Sequence, residues 1–582
     1  MALGTPSESP AVVVKEIDLT SGVPNVQSST GAFVGNFRWG PVGERVLISN
    51  EEELANKFGT PDANNARDIE FLSATQFLRY TNSLQVVRET TSVAKNSVYA
   101  AGQDNNGSDV PAATVNNKAA FDTQISSLDS DKNVFIGRFP GDLGNSIRVS
   151  VWDSSDITGW AYASSFDASP GTSTYVSNRN GSNDEMHVAV VDKDGLISGT
   201  AGTLLETYPF VSKALGAQNT DGTTNFVKDV INERSEYIYM VDFDSDFQSA
   251  GAGTTVDSGE NFSRILRAAT NYDLTLGVNS GTITLSDYAT GFDLFEDKDN
   301  VEIDFLIAPG MASRSDHTTV VNDLISIAGS TRKDCVVVAS PARTDVVNLT
   351  DASTITTNIT TTANTFTNSS YLVMDGNYLK VYDKFNDQYI QIPAASSTAG
   401  IMAATDRNAA PWFSPAGGRR GQYLGVTGIE YTPTKSQRDT LYKASVNPIA
   451  NIPGQGLLLF GDKTGLARPS AFDRINVRRL FLVLERAIGR AAESVLFEFN
   501  DEFTRAEFVN IVEPVLREVK GRRGISDFKV VCDETNNTAA VIDRNEFIAS
   551  IFIKPARSIN YVTLNFVAVR TGVDFEEVVG TV

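Results

Sequence analysis

The first part of the chain shows the alternation of apolar strands and amphipathic helices that is typical of an α/β domain. Residues 31–37 form a short apolar run, and residues 82–89 form another. Between them, residues 51–58 and 69–80 place apolar side chains at helical spacing. This order predicts a strand, two helices and a second strand.

A similar pattern returns after residue 300. Residues 303–310 and 335–341 are apolar runs that flank a helical stretch over 318–329. A strand, a helix and a second strand in this order predict a βαβ unit, whose strands are parallel. The simplest topology makes residues 23–92 and 300–435 the two halves of one central α/β domain.

The segment between these halves has a different composition and hydrophobic pattern. Alternating apolar positions over 146–152 and 186–191 predict strands, and turns rich in Gly, Asn and Ser separate them. Residues 93–299 carry 29 acidic and 13 basic side chains, so this block holds a net charge of −16 out of the −22 of the whole chain. We expect one or two inserted, β-rich, solvent-facing domains. The alternative is a soluble domain with no special position.

The pattern after residue 436 predicts two long helices followed by strands. Ser470 and Asp473 have the spacing of a capping box, and an apolar stripe follows them, so the first helix should begin there. Thr504 and Glu507 form a second capping box, and Pro514 should kink or end the helix that it opens. These helices and the strands after them predict an α+β C-terminal domain. The strand candidates are residues 525–532, 546–554 and 559–570.

Both ends of the chain contain β-prone segments with no neighbouring strand in the sequence. Residues 10–19 lie between flanks rich in Ser, Gly and Pro, and residues 573–579 follow a Thr-Gly break. Because the backbone groups of a strand need partners, each segment must find a sheet edge, either in its own domain or in a neighbouring subunit. The apolar positions are Val12, Val13, Val14, Ile17 and Leu19 in the first segment and Phe575, Val578 and Val579 in the second.

The first C-terminal helix is rich in arginine, although residues 436–582 carry 19 basic and 19 acidic side chains. Arg479, Arg486 and Arg490 fall on roughly one face, which could meet an acidic partner surface. A solvated helix with local ion pairs, such as one between Arg486 and the turn of Glu485, is an equally good interpretation. The full arginine set is Arg474, Arg478, Arg479, Arg486 and Arg490.

Composition excludes several classes of function. A net charge of −22 disfavours binding to bare nucleic acid or to an anionic membrane surface. Cys335 and Cys532 are the only cysteines, which excludes a disulfide framework and a Cys-built zinc site. His187 and His317 are the only histidines, and neither has a nucleophile motif beside it. With no secretory signal and no apolar run near the roughly 18 residues of a membrane span, we expect folding in a reducing cytoplasm.

The motifs that could bind a ligand are incomplete. Residues 454–456 lack the third glycine of a dinucleotide loop, and residues 461–464 lack the upstream glycine of a phosphate-binding loop. Residues 242–246 begin like a calcium loop, but Phe247 and Gly253 occupy the positions that require Gly and Glu. We therefore expect no enzyme and no cofactor. A nucleotide-binding α/β enzyme and a virion or cell-surface adhesin with a ligand-binding acidic insertion are the alternatives.

Several segments of the chain resemble the tail sheath proteins of long, contractile-tailed bacteriophages. The resemblance covers both ends of the sequence, in the family's order, but little of residues 93–299. The segments that carry it most clearly are 37–41 (FRWGP), 447–450 (NPIA), 470–480 (SAFDRINVRRL) and 554–558 (KPARS).

This resemblance implies a structural polymer. Family members stack as rings around a rigid inner tube, and a baseplate signal makes them slide into a shorter, wider array that drives the tube through the host envelope. It also implies that the C-terminal domain and its arginine helix face the tube and that terminal arms interlace between neighbours. The implied partners are copies of the chain, the tail tube protein, and baseplate and tail terminator proteins, without nucleic acid or membrane insertion. The implied location is the virion tail, after assembly in the host cytoplasm.

The expected organisation is therefore a multidomain protein with α/β and α+β parts. Its segments are an N-terminal linking arm (1–22), the two halves of the central α/β domain (23–92 and 300–435), inserted acidic β-rich outer domains (93–299), a tube-facing α+β sheath domain (436–570) and a C-terminal linking arm (571–582).

Overall fold

The computed structural model describes residues 29–63, 65–99, 114–124, 134–256, 261–264 and 270–559. Contacts divide these residues into a larger unit, 29–411 with 415–487, and a smaller unit, 412–414 with 488–559. None of the described helices combines the length and the apolar character needed to cross a bilayer.

A seven-stranded sheet organises the larger unit. Six of its strands are parallel, and the edge strand Arg45–Ile48 runs antiparallel to its neighbour. The predicted parallel βαβ unit is confirmed, because Phe305 pairs with Val336 in a parallel register. Across the sheet the strands are Val446–Asn447, Leu372–Asp375, Val336–Ala339, Phe305–Ile307, Gly31–Gly35, Leu84–Arg88 and Arg45–Ile48.

Successive residues of these strands enter two hydrophobic cores, one on each face of the sheet. Phe33 and Phe305 belong to one core, and their neighbours Val34 and Leu306 belong to the other. This alternation is the period-two pattern of a strand with both faces covered. Helices cover both faces, so the central part of the chain is a three-layer α/β structure.

The helices predicted at 51–58, 69–80 and 318–329 are present, with shifted bounds in the last two. Glu51–Phe58 has the predicted bounds, and Arg314–Ser326 begins four residues before the predicted 318. The described α-helices of this unit are Glu51–Phe58, Asn65–Leu78, Lys118–Gln124, Thr174–Ser177, Val227–Arg234, Ser245–Ser249, Leu285–Asp293, Arg314–Ser326, Arg343–Val346, Ala352–Thr365, Ala395–Asn408, Lys435–Lys443 and the part of Ile475–Glu493 up to Ala487.

Residues 93–299 contain two antiparallel sheets and supply most of a third hydrophobic core, to which Trp39 also belongs. The strands that the alternation predicted at 146–152 and 186–191 are present. One sheet has four strands, in the order Thr270–Asp273, Ile147–Trp152, Glu185–Asp192 and Thr203–Ser212. The other has three strands, in the order Asn96–Val98, Phe135–Pro140 and Ile238–Met240.

A buried arginine joins this segment to the central sheet. Arg88 ends a central strand, and its guanidinium donates to the carbonyl oxygens of Phe37 at 2.9 Å, Gly40 at 2.6 Å and Pro140 at 2.6 Å. Pro140 is the last residue of a strand of the inserted segment. Burial lowers the pKa of Arg88 to about 9, so the guanidinium is still charged at neutral pH.

Two smaller antiparallel sheets complete the larger unit. One contains Gln388–Pro393, Tyr378–Asp383 and Gly428–Ile429, and the other contains Ile449–Ile452 and Gly456–Leu459.

The smaller unit consists of a long helix and a two-stranded hairpin. We call Glu502–Gly521 the C-terminal helix, and Ile525–Val531 with Ser550–Pro555 the C-terminal hairpin. A short helix, Ala539–Ile542, lies in the connection between the two strands. The predicted third strand, 559–570, falls almost entirely outside the described residues.

Two predicted helix starts were wrong, and one predicted end was not found. Ser470 caps a short 3-10 turn, Ala471–Asp473, and the long helix begins only at Ile475. The second helix begins at Glu502 with Asp501 as its N-cap, rather than at the predicted Thr504. Pro514 does not end that helix, which continues to Gly521.

Candidate subunit interface

The arginine helix, Ile475–Glu493, packs an apolar stripe against the core of the larger unit. Ile475 and Leu482 are buried in the hydrophobic core on one face of the central sheet. Just before the helix, Arg474 forms an ion pair with Asp462 at 2.8 Å. In the first turn, Arg478 donates to the hydroxyl of Ser370 at 2.6 Å.

Two further arginines of this helix have buried acidic partners from distant parts of the chain. Arg479 pairs with Asp406, and both side chains are only 4% exposed. Arg486 pairs with Asp304 at 2.8 Å and also donates to the carbonyl oxygens of Ile303 and Asp334. Burial lowers the pKa of Arg486, but the carboxylates of Asp304 and Asp334 more than offset this, so its pKa is raised overall.

These contacts revise the expectation for the arginine helix. The proposed local pairing of Arg486 with the turn of Glu485 was wrong, because the partner Asp304 lies 182 residues away in sequence. The guanidinium groups of Arg479 and Arg486 are buried in ion pairs of their own subunit, where they hold the helix on the central domain. Arg490 is partly buried and belongs to the smaller unit. Contact between the arginine helix and an inner tube stays a prediction.

The apolar arm positions expected at the two chain ends lie outside the described residues. This applies to Val12, Val13, Val14, Ile17 and Leu19, and to Phe575, Val578 and Val579.

The C-terminal hairpin has room for additional strands. Its two strands pair only with each other, so both outer edges lack a strand partner within the described residues. Unpaired edges present rows of backbone donors and acceptors that a further strand can satisfy. An isolated two-stranded hairpin is also marginally stable in water. The hairpin is therefore a ready acceptor for strands from elsewhere.

The hydrophobic core beneath this hairpin is thin. Phe528 and Val530 share one face with Ile553 and Ile551, their cross-strand partners, and all four are only half-buried. On the opposite face, Phe552 is 61% exposed. The fully buried apolar side chains of this unit come mainly from the C-terminal helix. They include Phe508, Val512, Leu516, Val519, Ile525 and Val541.

A second apolar surface lies in what we call the phenylalanine loop, residues 493–503. Phe497 is fully exposed, Phe499 is 85% exposed and Phe503 is 87% exposed. Phe497 also has a φ of +69°, a left-handed conformation that is costly for a bulky residue. Sequence analysis missed this surface, although phenylalanines alternating with acidic residues at 497–499 were a usable signal.

The histidines and the incomplete calcium motif have structural roles. His317 is buried beside the carbonyl oxygen of Ser340, and burial lowers its pKa to about 4. His187 accepts from the backbone N–H of Phe210 at 3.0 Å. Asp244 caps the helix Ser245–Ser249. Within the described ranges, no group of three or more His, Cys, Asp or Glu side chains is arranged to hold a metal ion.

Comparison with known proteins identifies the family. The phage tail sheath protein central domain matches residues 281–465, the phage tail sheath C-terminal domain matches 467–568, and the tail sheath protein Gp18 domain III N-terminal region matches 29–88. The tail sheath protein of Enterobacteria phage T4 is 34% identical, and the match covers 98% of this chain and 99% of that protein. The chain belongs to the bacteriophage tail sheath proteins.

Other comparisons agree with this family membership. The tail sheath protein of Vibrio phage KVP40 is 31% identical over 98% of this chain and 99% of its own length. A sheath tail protein from Listeria innocua has a similar fold, with a TM-score of 0.53 and 11% identity, over 91% of this chain and 96% of that one. The resemblance drawn from the sequence is confirmed. The mixed α/β, multi-sheet architecture is that of sheath proteins, which are structural proteins rather than enzymes.

Proposed function

We propose that this sheath protein polymerises helically around a tail tube in an extended, metastable state and contracts to drive the tube through the host envelope. The observation that carries the proposal is the C-terminal unit, which has a thin core and two hairpin edges with no strand partner among the described residues. Such a unit gains most when another chain supplies the missing strands. On this proposal the partner is another copy of the same chain, which agrees with membership of the tail sheath family.

The terminal arms are the strands that we propose for these edges. Residues 10–19 and 573–579 are long enough to lie along hairpin strands of seven and six residues. Each added backbone hydrogen bond is worth only about 1 kcal/mol, so one arm is a modest contact. Repeated in every subunit, the exchange makes the assembly mechanically continuous.

The proposal assigns a place to each part of the chain. The acidic, β-rich segment 93–299 points outward, where its net charge of −16 keeps neighbouring particles apart. The C-terminal domain lies toward the tube, and Arg479 and Arg486 hold the first part of the arginine helix on the larger unit. The baseplate and the tail terminator protein lie at the two ends of the polymer. The protein assembles in the host cytoplasm and functions in the virion tail.

Contraction on this proposal needs no nucleotide. Each subunit changes from one packing arrangement to another whose free energy is lower by a few kcal/mol. Summed over many copies, this difference provides the work of contraction. Contacts with the tube must break during the stroke. Exposed ion pairs, worth about 0–1 kcal/mol each, suit such contacts better than an apolar interface.

The experiment that tests the proposal removes the N-terminal arm. A chain that starts at residue 23 should fold as a stable monomer but fail to form tubes, as judged by negative-stain microscopy and sedimentation. A chain that starts at residue 9 is the matched control, since it loses polar flank and keeps the apolar residues 12–19. Tubes of normal appearance from the chain that starts at residue 23 would refute the arm exchange.

A further inference from the structure

The C-terminal unit has two ends with opposite charge. The C-terminal helix has 20 residues, so its ends are about 30 Å apart. The phenylalanine loop and the connection 533–546 lie at the helix start, where the side-chain amide of Asn500 donates to the carbonyl oxygen of Glu546 at 2.8 Å. The start of the hairpin lies at the other end, where Lys520 pairs with Asp527 at 3.2 Å.

The charges divide cleanly between these ends, because residues 508–512 in the middle of the helix carry none. The acidic end, residues 493–507 with 533–546, has nine acidic and two basic side chains, a net of −7. The basic end, residues 513–529 with 554–557, has seven basic and three acidic side chains, a net of +4. Although residues 436–582 carry no net charge, the C-terminal unit is therefore strongly polarised.

The acidic end also carries an apolar surface. Phe497, Phe499 and Phe503 project at this end with 85% or more of each side chain exposed. In the subunit by itself, their exposure and the left-handed φ of Phe497 are both unfavourable. A rim of acidic side chains around exposed aromatic rings is the composition of an interface with a basic partner.

We infer that the acidic end of one C-terminal unit docks on the basic end of the C-terminal unit in a neighbouring copy. The inference rests on the proposed polymerisation and names a contact surface that the terminal arms do not supply. The two faces of such a contact differ, so it propagates from copy to copy as an open polymer instead of closing a pair. The phenylalanines provide the apolar centre, and the opposite charges fix the polarity of the stack.

Charge complementarity favours a second copy of the chain as the partner at the acidic end. A copy with a net charge of −22 repels another over most of its surface. The basic end of the C-terminal unit is a positive patch on an otherwise acidic chain, and it is present in every copy at the same concentration as the acidic end. A tube protein or the chain's own residues 560–582 are the other possible occupants, and the test below separates them.

The test uses two charge-reversal variants of the full chain. Glu493→Lys with Glu498→Lys reduces the net charge of the acidic end from −7 to −3, and Arg523→Glu with Arg557→Glu reduces that of the basic end from +4 to zero. All four side chains are exposed. Each variant alone should show at least about a tenfold higher critical concentration for polymerisation, which corresponds to about 1.4 kcal/mol per contact. In an equimolar mixture in which the two variants alternate, one contact joins the two unchanged ends. The next contact places the introduced lysines against the introduced glutamates, so polymerisation should recover to close to the wild-type concentration.

Two controls complete the design. Glu52→Lys with Asp299→Lys makes the same change in net charge as the Glu493→Lys, Glu498→Lys variant, on exposed residues of the larger unit, and should polymerise like the wild type. Phe497→Ser with Phe499→Ser should also raise the critical concentration, and mixing with either reversal variant should not rescue it. Circular dichroism and thermal unfolding establish that every variant is folded.

The outcomes separate this inference from the proposed function. Normal polymerisation of both reversal variants, or failure of the mixture to recover, overturns the inference. If the reversal variants self-assemble normally but no longer assemble on the tube, the tube protein binds this surface. If they lose stability and mixing does not rescue polymerisation, residues 560–582 bind it. Either result overturns the inference. If the wild type and the Glu52→Lys, Asp299→Lys control form no polymer either, the proposed function itself fails.

Discussion

At the residue scale, sequence predicted which side chains are unusual but not what they contact. The arginine cluster of the first C-terminal helix was visible as a pattern, and Val477, Leu480 and Leu484 of its predicted apolar stripe are buried. The partners Asp406 and Asp304 could not be found, because they precede Arg479 and Arg486 by 73 and 182 residues and reach them only through the sheet topology. Arg88, which joins the inserted segment to the central sheet, gave no signal in the sequence for the same reason.

The buried ion pair of Arg486 leads to a stability prediction. Arg486→Met keeps the length of the side chain but leaves Asp304 buried without its cation. We expect the free energy of unfolding to fall by about 3–5 kcal/mol at neutral pH. Urea denaturation followed by intrinsic fluorescence measures this. Arg517→Met is the control, since its side chain is 71% exposed beside Glu513, and the loss should be about 0.5 kcal/mol or less. Equal losses in the two variants would contradict the structural role of Arg486.

A buried carboxyl leads to a pH prediction. Asp375 accepts from the hydroxyls of Ser340 at 2.8 Å and Thr398 at 3.0 Å, yet burial raises its pKa from 3.8 to about 7. Between these values the folded chain holds a proton that the unfolded chain has released, so this group makes stability fall as pH rises. The contribution approaches about 1.4 kcal/mol per pH unit and ends near pH 7.

Asp375→Asn removes this contribution. From pH 5 to pH 7, the free energy of unfolding of the wild type should decline relative to that of the variant, and the difference should be constant above that range. Urea titrations at each pH provide both curves. Parallel curves across the whole range would show that Asp375 does not titrate as described.

At the scale of elements, sequence predicted the kinds of structure well and their ends less well. The strand near residue 305, the helix 51–58 and the alternating strands of the inserted segment were all recovered, because each has a period that only one structure satisfies. The helix near 470 was placed too early, since Ser470 can cap a 3-10 turn as well as a helix. Pro514 is tolerated inside a helix, where burial of Val512 and Leu516 outweighs its local cost.

The C-terminal hairpin shows where element-level prediction ends. Its two strands were predicted close to their observed positions. The local sequence pattern does not determine which further strands complete the sheet. The same backbone hydrogen bonds form whether the added strand comes from the same chain or from another one. The same holds for the phenylalanine loop, whose exposure depends on tertiary packing rather than on the sequence around it.

At the scale of the whole molecule, the distribution of charge and apolar surface is organised for assembly. The inserted segment holds most of the net negative charge. In the part of the chain that the structure describes, the C-terminal unit holds the hairpin edges without a strand partner, the exposed phenylalanines and the separated charges. A chain that functioned alone would gain stability by covering these surfaces. A chain that functions as a subunit keeps them for its neighbours, and this agrees with membership of the tail sheath family.

The most direct test is a high-resolution cryo-electron microscopy structure of the assembled tube. The two outer edges of the C-terminal hairpin should be paired with residues 10–19 and 573–579 that trace back to neighbouring copies. Density showing both edges closed by the ends of the same chain, or left unpaired, would contradict the account.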